Sequence, residues 1–514
     1  MIYRPGCMAS PSAEQRTAVI DLGSNSFRLV VFTAADGWWK RTDEIYEAVR
    51  IGAGLGETGE LGDEPMQRAL HTIEVFAHFC RALEITDVRP VATSAIRDAR
   101  NGKAFAQRAL EATGLPVRVL STAQEALYGH LAAVNSTTIS DGAVLDLGGG
   151  SLQLVRVRER RPNELSSWPL GAVRTTERFL PDGDAVSRKQ LKALRTHVAE
   201  ELGSAPWLPS SGDRLVGVGG TVRNLASAAQ HLAGQPHVGV QGFVITREAL
   251  GELVDRLAGV PASERGRVPG IKSARADIIL AGAAVVQTVL EVGGFEGIEV
   301  TEAGLREGVF FESLLPGPDH LFDDVRRDSV LNLARQYRVD RAHTNHVAAL
   351  ALGLFDQLAA EGLHDGDPIE RELLWAGCML HDIGMSVDYD DHHKHSRYLI
   401  LNAGLPGFAP AEVALIAQAA RYHRKGQPDL GELEPLALPG DAERLDRLAC
   451  LLRLAEDLER PRDQSVRSAD VHMQNGAVRL DLHADAGAEV ARWAAEREVD
   501  LFRRAFGKDL SVAS

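Results

Sequence analysis

Twelve residues near the N-terminus, Val19-Ile20-Asp21-Leu22-Gly23-Ser24-Asn25-Ser26-Phe27-Arg28-Leu29-Val30, return in kind as Val144-Leu145-Asp146-Leu147-Gly148-Gly149-Gly150-Ser151-Leu152-Gln153-Leu154-Val155. Both read Asp-Leu-Gly, a small or polar pair, Ser, an apolar residue, a polar residue and Leu-Val. The apolar runs on either side predict strands, and the glycines between them predict a tight turn. A shared frame of this length is a duplication, so the chain is constrained to two similar halves. Each half sets a carboxylate at the end of its first strand and bare backbone amides in the turn after it. Successive amides of such a turn form a nest for an anion, and the carboxylate suits the accompanying cation. Phosphate with a divalent ion is the expected guest.

The remainder of each half alternates strand with helix. Residues 38 to 51 continue as strand, Gly52 to Gly62 is a glycine-rich loop, and residues 64 to 84 carry Met66, Ala69, Ile73, Phe76 and Cys80 on one helical face. Val88 to Ala92 is a buried strand running through Thr93-Ser94-Ala95-Ile96-Arg97-Asp98 into a helix that ends near residue 112. Val117 to Leu120 is a strand, and a helix carrying Glu125 starts near Ser121. The pattern restarts with strands at 143 to 147, 151 to 158 and 163 to 168 and helices at 173 to 180 and 187 to 203. Leu215-Val216-Gly217-Val218-Gly219-Gly220-Thr221-Val222-Arg223 is strand, glycine turn and helix, a third phosphate-loop candidate whose helix N-terminus adds partial positive charge. A helix over 277 to 292, a strand over 298 to 301 and a closing helix from Gly304-Leu305-Arg306-Glu307-Gly308 complete the half. Such alternation predicts α/β layers. Beyond Pro316-Gly317-Pro318 strands nearly vanish, and Ala-, Leu- and His-rich helices run to near residue 460. Alternation at Val478 to His483 reads as a two-stranded appendage followed by a terminal helix. The expected domains are residues 17–135, 136–315 and 320–514.

A length of 514 residues suits about three domains. No apolar run approaches the roughly 18 residues needed to cross a bilayer, and residues 1 to 16 lack the segments of a signal peptide, so a cytoplasmic protein with no membrane partner is expected. The four cysteines, Cys7, Cys80, Cys378 and Cys450, form no C-x-x-C pair and read as buried thiols, apart from Cys7 in the N-terminal tail. A net charge of −15 argues against DNA or RNA as a partner. A polyanionic substrate therefore needs locally basic walls, for which Arg97, Arg100, Lys103 and Arg265, Arg267, Lys272, Arg275 are candidates.

Further motifs extend the repeat: Ala92-Thr93-Ser94-Ala95-Ile96-Arg97-Asp98-Ala99, Glu125-Ala126 after Ser121, Gly217-Val218-Gly219-Gly220-Thr221-Val222-Arg223-Asn224-Leu225-Ala226 and Gly304-Leu305-Arg306-Glu307-Gly308. With the two hairpins they span roughly residues 17 to 310 in order. In this the sequence resembles the exopolyphosphatase and guanosine pentaphosphate phosphohydrolase (Ppx/GppA) family. The resemblance implies a duplicated ribonuclease-H-like fold of the actin, hexokinase and Hsp70 ATPase superfamily. It also implies hydrolysis of a terminal phosphoanhydride bond of inorganic polyphosphate, with guanosine pentaphosphate as the alternative substrate, and a homodimer. Phosphoryl transfer to water needs a positioned water, a divalent ion and donors on the equatorial oxygens. By position in the motifs, Glu125 orients or deprotonates the water and Arg97 clamps a phosphate. Asp146, with Gly148 nearby and Asp21 opposite, is expected to hold Mg²⁺ or Mn²⁺. Ser24, Asn25, Ser26, Gly149, Gly150, Ser151, Gly220, Thr221 and Arg267 are expected to bind phosphate.

Two positions depart from the family pattern. Gln124 replaces the first of a usual Glu-Glu pair, and Gln153 stands where relatives place a metal-binding Glu. A neutral amide oxygen is a poorer ligand for Mg²⁺ than a carboxylate. The alternative to catalysis is a phosphate- or nucleotide-sensing cleft, with Gln153 as its mark. In the C-terminal region an apolar helix over Leu373 to Leu380 runs into His381-Asp382, preceded by His346 and followed by His392-His393-Lys394-His395 and His423. This resembles an all-α HD-type metal-dependent phosphohydrolase domain. The likeness implies a second divalent-metal site made by His346, His381, Asp382 and Glu456, the last where relatives have Asp. Imidazole with carboxylate suits Mn²⁺, Fe²⁺ or Zn²⁺. The competing reading is a helical domain that binds polyphosphate, through Arg421-Tyr422-His423-Arg424-Lys425-Gly426, or forms the dimer interface.

Overall fold

The two repeated stretches fold as matching hairpins in two separate sheets. In the first sheet β1 (Gln15–Leu22) and β2 (Phe27–Ala35) pair antiparallel with Asp21 opposite Arg28, and the turn closes through Gly23 N–H to Ser26 C=O at 3.2 Å. In the second, β6 (Gly142–Leu147) and β7 (Leu152–Arg158) pair antiparallel with Asp146 opposite Gln153, and Gly148 N–H reaches Ser151 C=O at 3.0 Å. The computed structural model describes residues 14–35, 37–181, 183, 185–484 and 488–513. Cys7 lies outside the described residues, whereas Cys80, Cys378 and Cys450 are buried free thiols.

The duplication extends to whole sheets. With β3 (Trp38–Glu47), β4 (Asp87–Ala92) and β5 (Arg118–Val119), the first sheet has the order β3-β2-β1-β4-β5. β2 runs antiparallel to β3 and β1 on either side of it, and β1, β4 and β5 run parallel. The second sheet adds β8 (Arg161–Trp168), β9 (Leu215–Val218), β10 (Val244–Thr246) and β11 (Gly297–Val300) in the order β8-β7-β6-β9-β11-β10. The first five repeat the first sheet's order and directions, and β10 is an antiparallel extra at the edge. Two sheets of this order are the duplicated ribonuclease-H-like α/β fold. Parallel strands need crossovers, and helices supply them.

The helix Thr122–Val134 carries Glu125 and serves both halves. Tyr128 and Leu131 pack with Val19, Val30 and Val91 of the first sheet, whereas Ala126, Ala133 and Val134 pack with Val144, Val155 and Val216 of the second. The helix Leu305–Leu314, expected to close the second half, instead lays Val309, Phe310 and Phe311 on the first sheet's cluster. The two helices approach so closely that a Cβ on Gly308 would lie 2.1 Å from the Tyr128 carbonyl oxygen.

The chain divides into two compact units between Val325 and Arg326. The boundary expected from the sequence lies a few residues earlier, at 316–320. Residues after Pro316-Gly317-Pro318 remain strapped to the first unit: Asn135 Nδ2 donates to His320 C=O at 2.8 Å and Phe322 N–H donates to Asn135 Oδ1 at 2.9 Å. The second unit is built on the helices Arg341–Ala360, Pro368–Leu380, His392–Ala403, Pro410–Tyr422 and Asp441–Leu458. It is not all-α. Strands β12 (Val466–Gln474), β13 (Ala477–Ala484) and β14 (Leu510–Ala513) form a three-stranded sheet, one strand more than the alternation at 478–483 reveals, because β14 is only four residues long.

Replacing Gly308 with Ala forces the Glu125-bearing helix away from its neighbour. Overpacking of this kind costs about 1–3 kcal/mol. Gly308→Ala is expected to unfold at lower temperature than the parent by calorimetry, whereas Gly56→Ala, with nothing near its Cβ position, is expected to fall by less.

Candidate active site

Three carboxylates converge where the two hairpins face the Glu125 helix. Asp21 ends β1, Asp146 ends β6, and Glu125 lies in the first turn of its helix, which is fixed by a capping box between Ser121 and Gln124. Glu125 is buried and the two aspartates are half-buried, and the charges of Asp21 and Glu125 oppose ionisation of Asp146. Burial, followed by the charges of Glu125 and Asp21, pushes Asp146 up to about 7. Burial raises Asp21, against the pull of Arg306 and Arg28. Burial also raises Glu125, although Arg97 donates to its Oε2 at 2.6 Å and lowers it in part. A carboxyl raised by burial is a stronger base than an exposed one, and Arg97 fixes its direction.

The turns crowd around these groups. Ser24 and Ser94 hydroxyls lie 2.9 Å apart. Gly219, at φ 105°, turns the chain from β9 into the helix Gly220–Leu232; a Cβ there would sit 2.9 Å from Leu147 C=O and 3.3 Å from Asp146 Oδ1. Only glycine permits both the dihedral and the approach. A cavity of about 130 Å³ results, lined by Asp21, Ser24, Asn25, Ser26, Glu125, Asp146, Gly148, Gly149, Gly220 and the guanidinium-bearing residues Arg28, Arg223, Arg275 and Arg306. Beyond the last four opens a vestibule of about 560 Å³ to which Arg41 and Lys272 also contribute, against the carboxylates Glu44 and Glu302. Burial and the nearby Arg306 lower Arg223 to about 10, still charged at neutral pH.

This arrangement pairs acidic groups that suit a hard cation with cationic groups that suit phosphate oxygens. A model of the Ppx/GppA phosphatase family matches residues 30–316, and one of the family's domain III matches residues 325–497. The chain belongs to the Ppx/GppA phosphatase family. Its structure is similar to that of a Ppx/GppA family member from Aquifex aeolicus, at 29% identity and a TM-score of 0.51 over 59% of this chain and 98% of that one. A PPX-GPPA enzyme from the same organism gives 30% identity and a TM-score of 0.50 over 58% and 99%. An exopolyphosphatase from Cytophaga hutchinsonii, at 24% identity and a TM-score of 0.54 over 58% and 98%, shares the fold.

Within this Ppx/GppA cleft several expected groups stand elsewhere. Arg97 stands behind Glu125 rather than in the cavity lining, with Nε 3.2 Å from Asp98 and Nη1 on Glu125 and Leu120 C=O. Arg267 is exposed beside Glu264 at 3.5 Å and is absent from both cavity linings; Arg265 is buried with Nε on Leu257 C=O. Both precede the segment that brings Lys272 and Arg275 to the vestibule. Arg100 pairs with Glu60 at 3.2 Å. Gly150, Ser151 and Thr221 are not in the lining either. Ser151 Oγ lies 3.4 Å from Glu125 Oε1 and accepts from Gln153 Nε2 at 2.8 Å, and the buried Gln153 Oε1 has no hydrogen-bond partner among the described residues. Gly148 lines the cavity, but its N–H bonds Ser151 and its C=O accepts from Ala172 N–H at 3.0 Å. Arg28, Arg223 and Arg306 escaped assignment on sequence; all three lie inside the motifs, and Arg28 occupies the repeat position of Gln153.

In the second unit His381, Asp382 and Glu456 come together, but His346 does not join them. Its Nε2 bonds Val466 C=O of β12 at 2.8 Å, while His343, three residues earlier on the same helix, reaches Glu456 Oε2 at 3.0 Å. Both histidines share one helical face, and the packing of β12 decides between them. His392 and His423 also join the group; His393 does not.

The position of Asp146 sets a pH dependence. Its folded pKa is raised, so its contribution to stability is complete below about pH 4 and is lost as pH rises through about 7. In chelated protein, Asp146→Asn is expected to match the parent near pH 4 and to exceed it by about 2–4 kcal/mol at pH 8 in denaturant melts. Adding Mg²⁺ at pH 8 is expected to stabilise the parent and not the variant.

Proposed function

We propose that the cleft of the first unit hydrolyses the terminal phosphoanhydride bond of inorganic polyphosphate and releases orthophosphate. The observation that carries this reading is the vestibule, where six cationic side chains face two carboxylates and lead directly to Glu125, Asp21 and Asp146. A polymer with a charge on every phosphate gains from a continued row of guanidinium groups; a nucleotide engages them only along its short phosphate chain. Arg28, Arg223, Arg275 and Arg306 hold the penultimate phosphates and draw charge from the terminal one. The turn amides at Ser24–Ser26 and Gly149, with the helix N-terminus at Gly220, bind its oxygens. Glu125, aimed by Arg97, takes the proton of the attacking water. The donor set fits Mg²⁺: three crowded carboxylates, one of them raised to about 7 by burial and its neighbours, and a buried amide oxygen on Gln153 with no hydrogen-bond partner among the described residues. Asp146 and Asp21 would hold the ion, which supplies positive charge at the phosphate oxygens. Gln153 makes that hold weaker than a carboxylate would.

Orthophosphate release from polyphosphate, guanosine pentaphosphate and ATP tests the reading. Polyphosphate is expected to be turned over fastest; preference for guanosine pentaphosphate would transfer the role to that nucleotide, and binding without turnover of any would make the cleft a sensor. Glu125→Gln is expected to lower release by about 10²–10⁴-fold while leaving the melting temperature at or above that of the parent. Undiminished release in that variant removes Glu125 from the role. Gln153→Glu is expected to lower the Mg²⁺ concentration for half-maximal rate, and an unchanged requirement would place the residue outside the metal's reach.

A further inference from the structure

The helix Thr122–Val134 presents different faces to two different cavities. Glu125 and Gly129 lie on the face next to Asp146: Glu125 shares its cavity, and a Cβ on Gly129 would stand 3.0 Å from Asp146 Oδ2. Gln124, Leu127, Tyr128 and Leu131, spaced by three and four, form another face. That face floors a separate cavity of about 380 Å³. Its other walls come from Arg118 of β5, the β7–β8 turn at Arg160–Pro162, Glu312 of the helix Leu305–Leu314, and the strap at Pro318–Leu321. All of these belong to the first unit, and none lines the catalytic cavity or its vestibule.

An apolar floor meets a cationic rim there. Leu127, Leu131, Leu321, Pro162 and Pro318 supply hydrocarbon, with Leu127 left 40% exposed. Arg118, Arg160 and Arg161 stand with only Glu312 and Asp319, one positive charge in excess. Arg161 Nη2 pairs with Asp319 Oδ2 at 2.8 Å, and Glu312 Oε2 accepts from the Tyr128 hydroxyl at 2.8 Å. Arg118 donates to the same neutral hydroxyl, and Arg160 donates to the carbonyls of Val134 and Asp323 at 3.3 Å. Gln124 sets the balance of charge. Its Oε1 caps the helix by accepting from Ser121 N–H at 3.0 Å; a Glu would cap as well and would cancel the excess. His130, in the same wall, is 4% exposed, and burial lowers it to about 4, so the ring is neutral. Its Nδ1 has no hydrogen-bond partner among the described residues, a costly state for a buried polar atom.

We infer that this cavity binds a nucleoside monophosphate, with its phosphate on Arg118 and Arg160 and its base over Leu127 and Leu321, and that the occupant acts on the Glu125 helix. Orthophosphate alone would leave the floor uncovered, an apolar molecule would strand three guanidinium groups, and a polyphosphate carries more charge than the rim offsets. The size suits a small organic ligand held by apolar walls and a few placed polar groups. Both crossing helices span the two cavities: Glu125 and Arg306 stand on the catalytic side, while Tyr128 and Glu312 stand on this one and are joined by their hydrogen bond. A phosphate competes with Tyr128 for Arg118 and so acts on that joint. Binding does not rest on the activity proposed for the cleft; the effect on orthophosphate release does.

Isothermal titration calorimetry of the full chain with adenosine monophosphate reads the site. The nucleotide is expected to bind more tightly than either adenosine or orthophosphate, because each of these meets one half of the cavity. Arg118→Gln and Gln124→Glu are each expected to weaken it about tenfold, through one charge lost or one like charge gained near the phosphate. Gln124→Glu keeps the helix cap and is expected to melt with the parent, so its loss of binding is not a loss of fold. Arg275→Gln, in the vestibule, is expected to leave the affinity unchanged. The reverse pattern puts the nucleotide in the catalytic cleft and overturns the site, as does an absence of binding. Saturating adenosine monophosphate is expected to lower orthophosphate release from polyphosphate by the parent. Binding with unchanged release overturns the coupling, and a protein that hydrolyses no polyphosphate still has its site tested by the calorimetry.

Discussion

Asp21, Glu125 and Asp146 repel one another across a narrow, partly buried cavity, and the first unit is organised around holding them there. Each comes from a different element, so no local structure relieves the repulsion. The relief comes from outside: Arg97 on Glu125, and the charges of Arg28, Arg223 and Arg306 on Asp21. Because the guanidinium groups stand at the mouth rather than between the carboxylates, the site keeps a negative centre inside a positive collar. That separation suits the cation and the polyanion proposed for the cleft. It follows from Coulomb attraction acting over a few ångströms in a medium less polarisable than water.

Close approach of backbone makes the arrangement rigid. Gly308 lets two helices cross at the Tyr128 carbonyl, and Gly219 lets a helix start against Asp146 and Leu147. Tyr128 and Leu131 bind the Glu125 helix to one sheet while Ala126, Ala133 and Val134 bind it to the other. Glu125 is thereby referenced to both hairpins. A general base needs such placement, since its effect depends on geometry before pKa.

The second unit solves a different electrostatic problem. It buries imidazole rings whose Nδ1 atoms lie against helix-end carbonyls, gathered around Asp382 and Glu456. The first unit offers carboxylates and a basic collar; the second sets imidazoles beside carboxylates, with Arg462 on Asp382.

Much of this was legible before folding. The repeated Asp-Leu-Gly frame determined the two hairpins and the duplicated α/β fold, because alternation and glycine are local instructions read within a few residues. Asp21, Asp146, Glu125 and the Ser24–Ser26 turn could be named for the same reason, each having a fixed place in a motif. The cationic collar could not. Arg28 and Arg306 look like ordinary surface residues of a strand and a helix, while Arg267 looks as suitable as Arg275, and only the packing of the chain decides which of them faces the cleft. The same holds for His343 against His346, one turn apart on one face, where β12 covers the second and leaves the first to Glu456. Sequence determined which chemistries the chain could carry, since residue type and local spacing are covalent facts. Tertiary structure alone decided which side chains meet, because convergence at a point depends on long-range packing that no local pattern encodes.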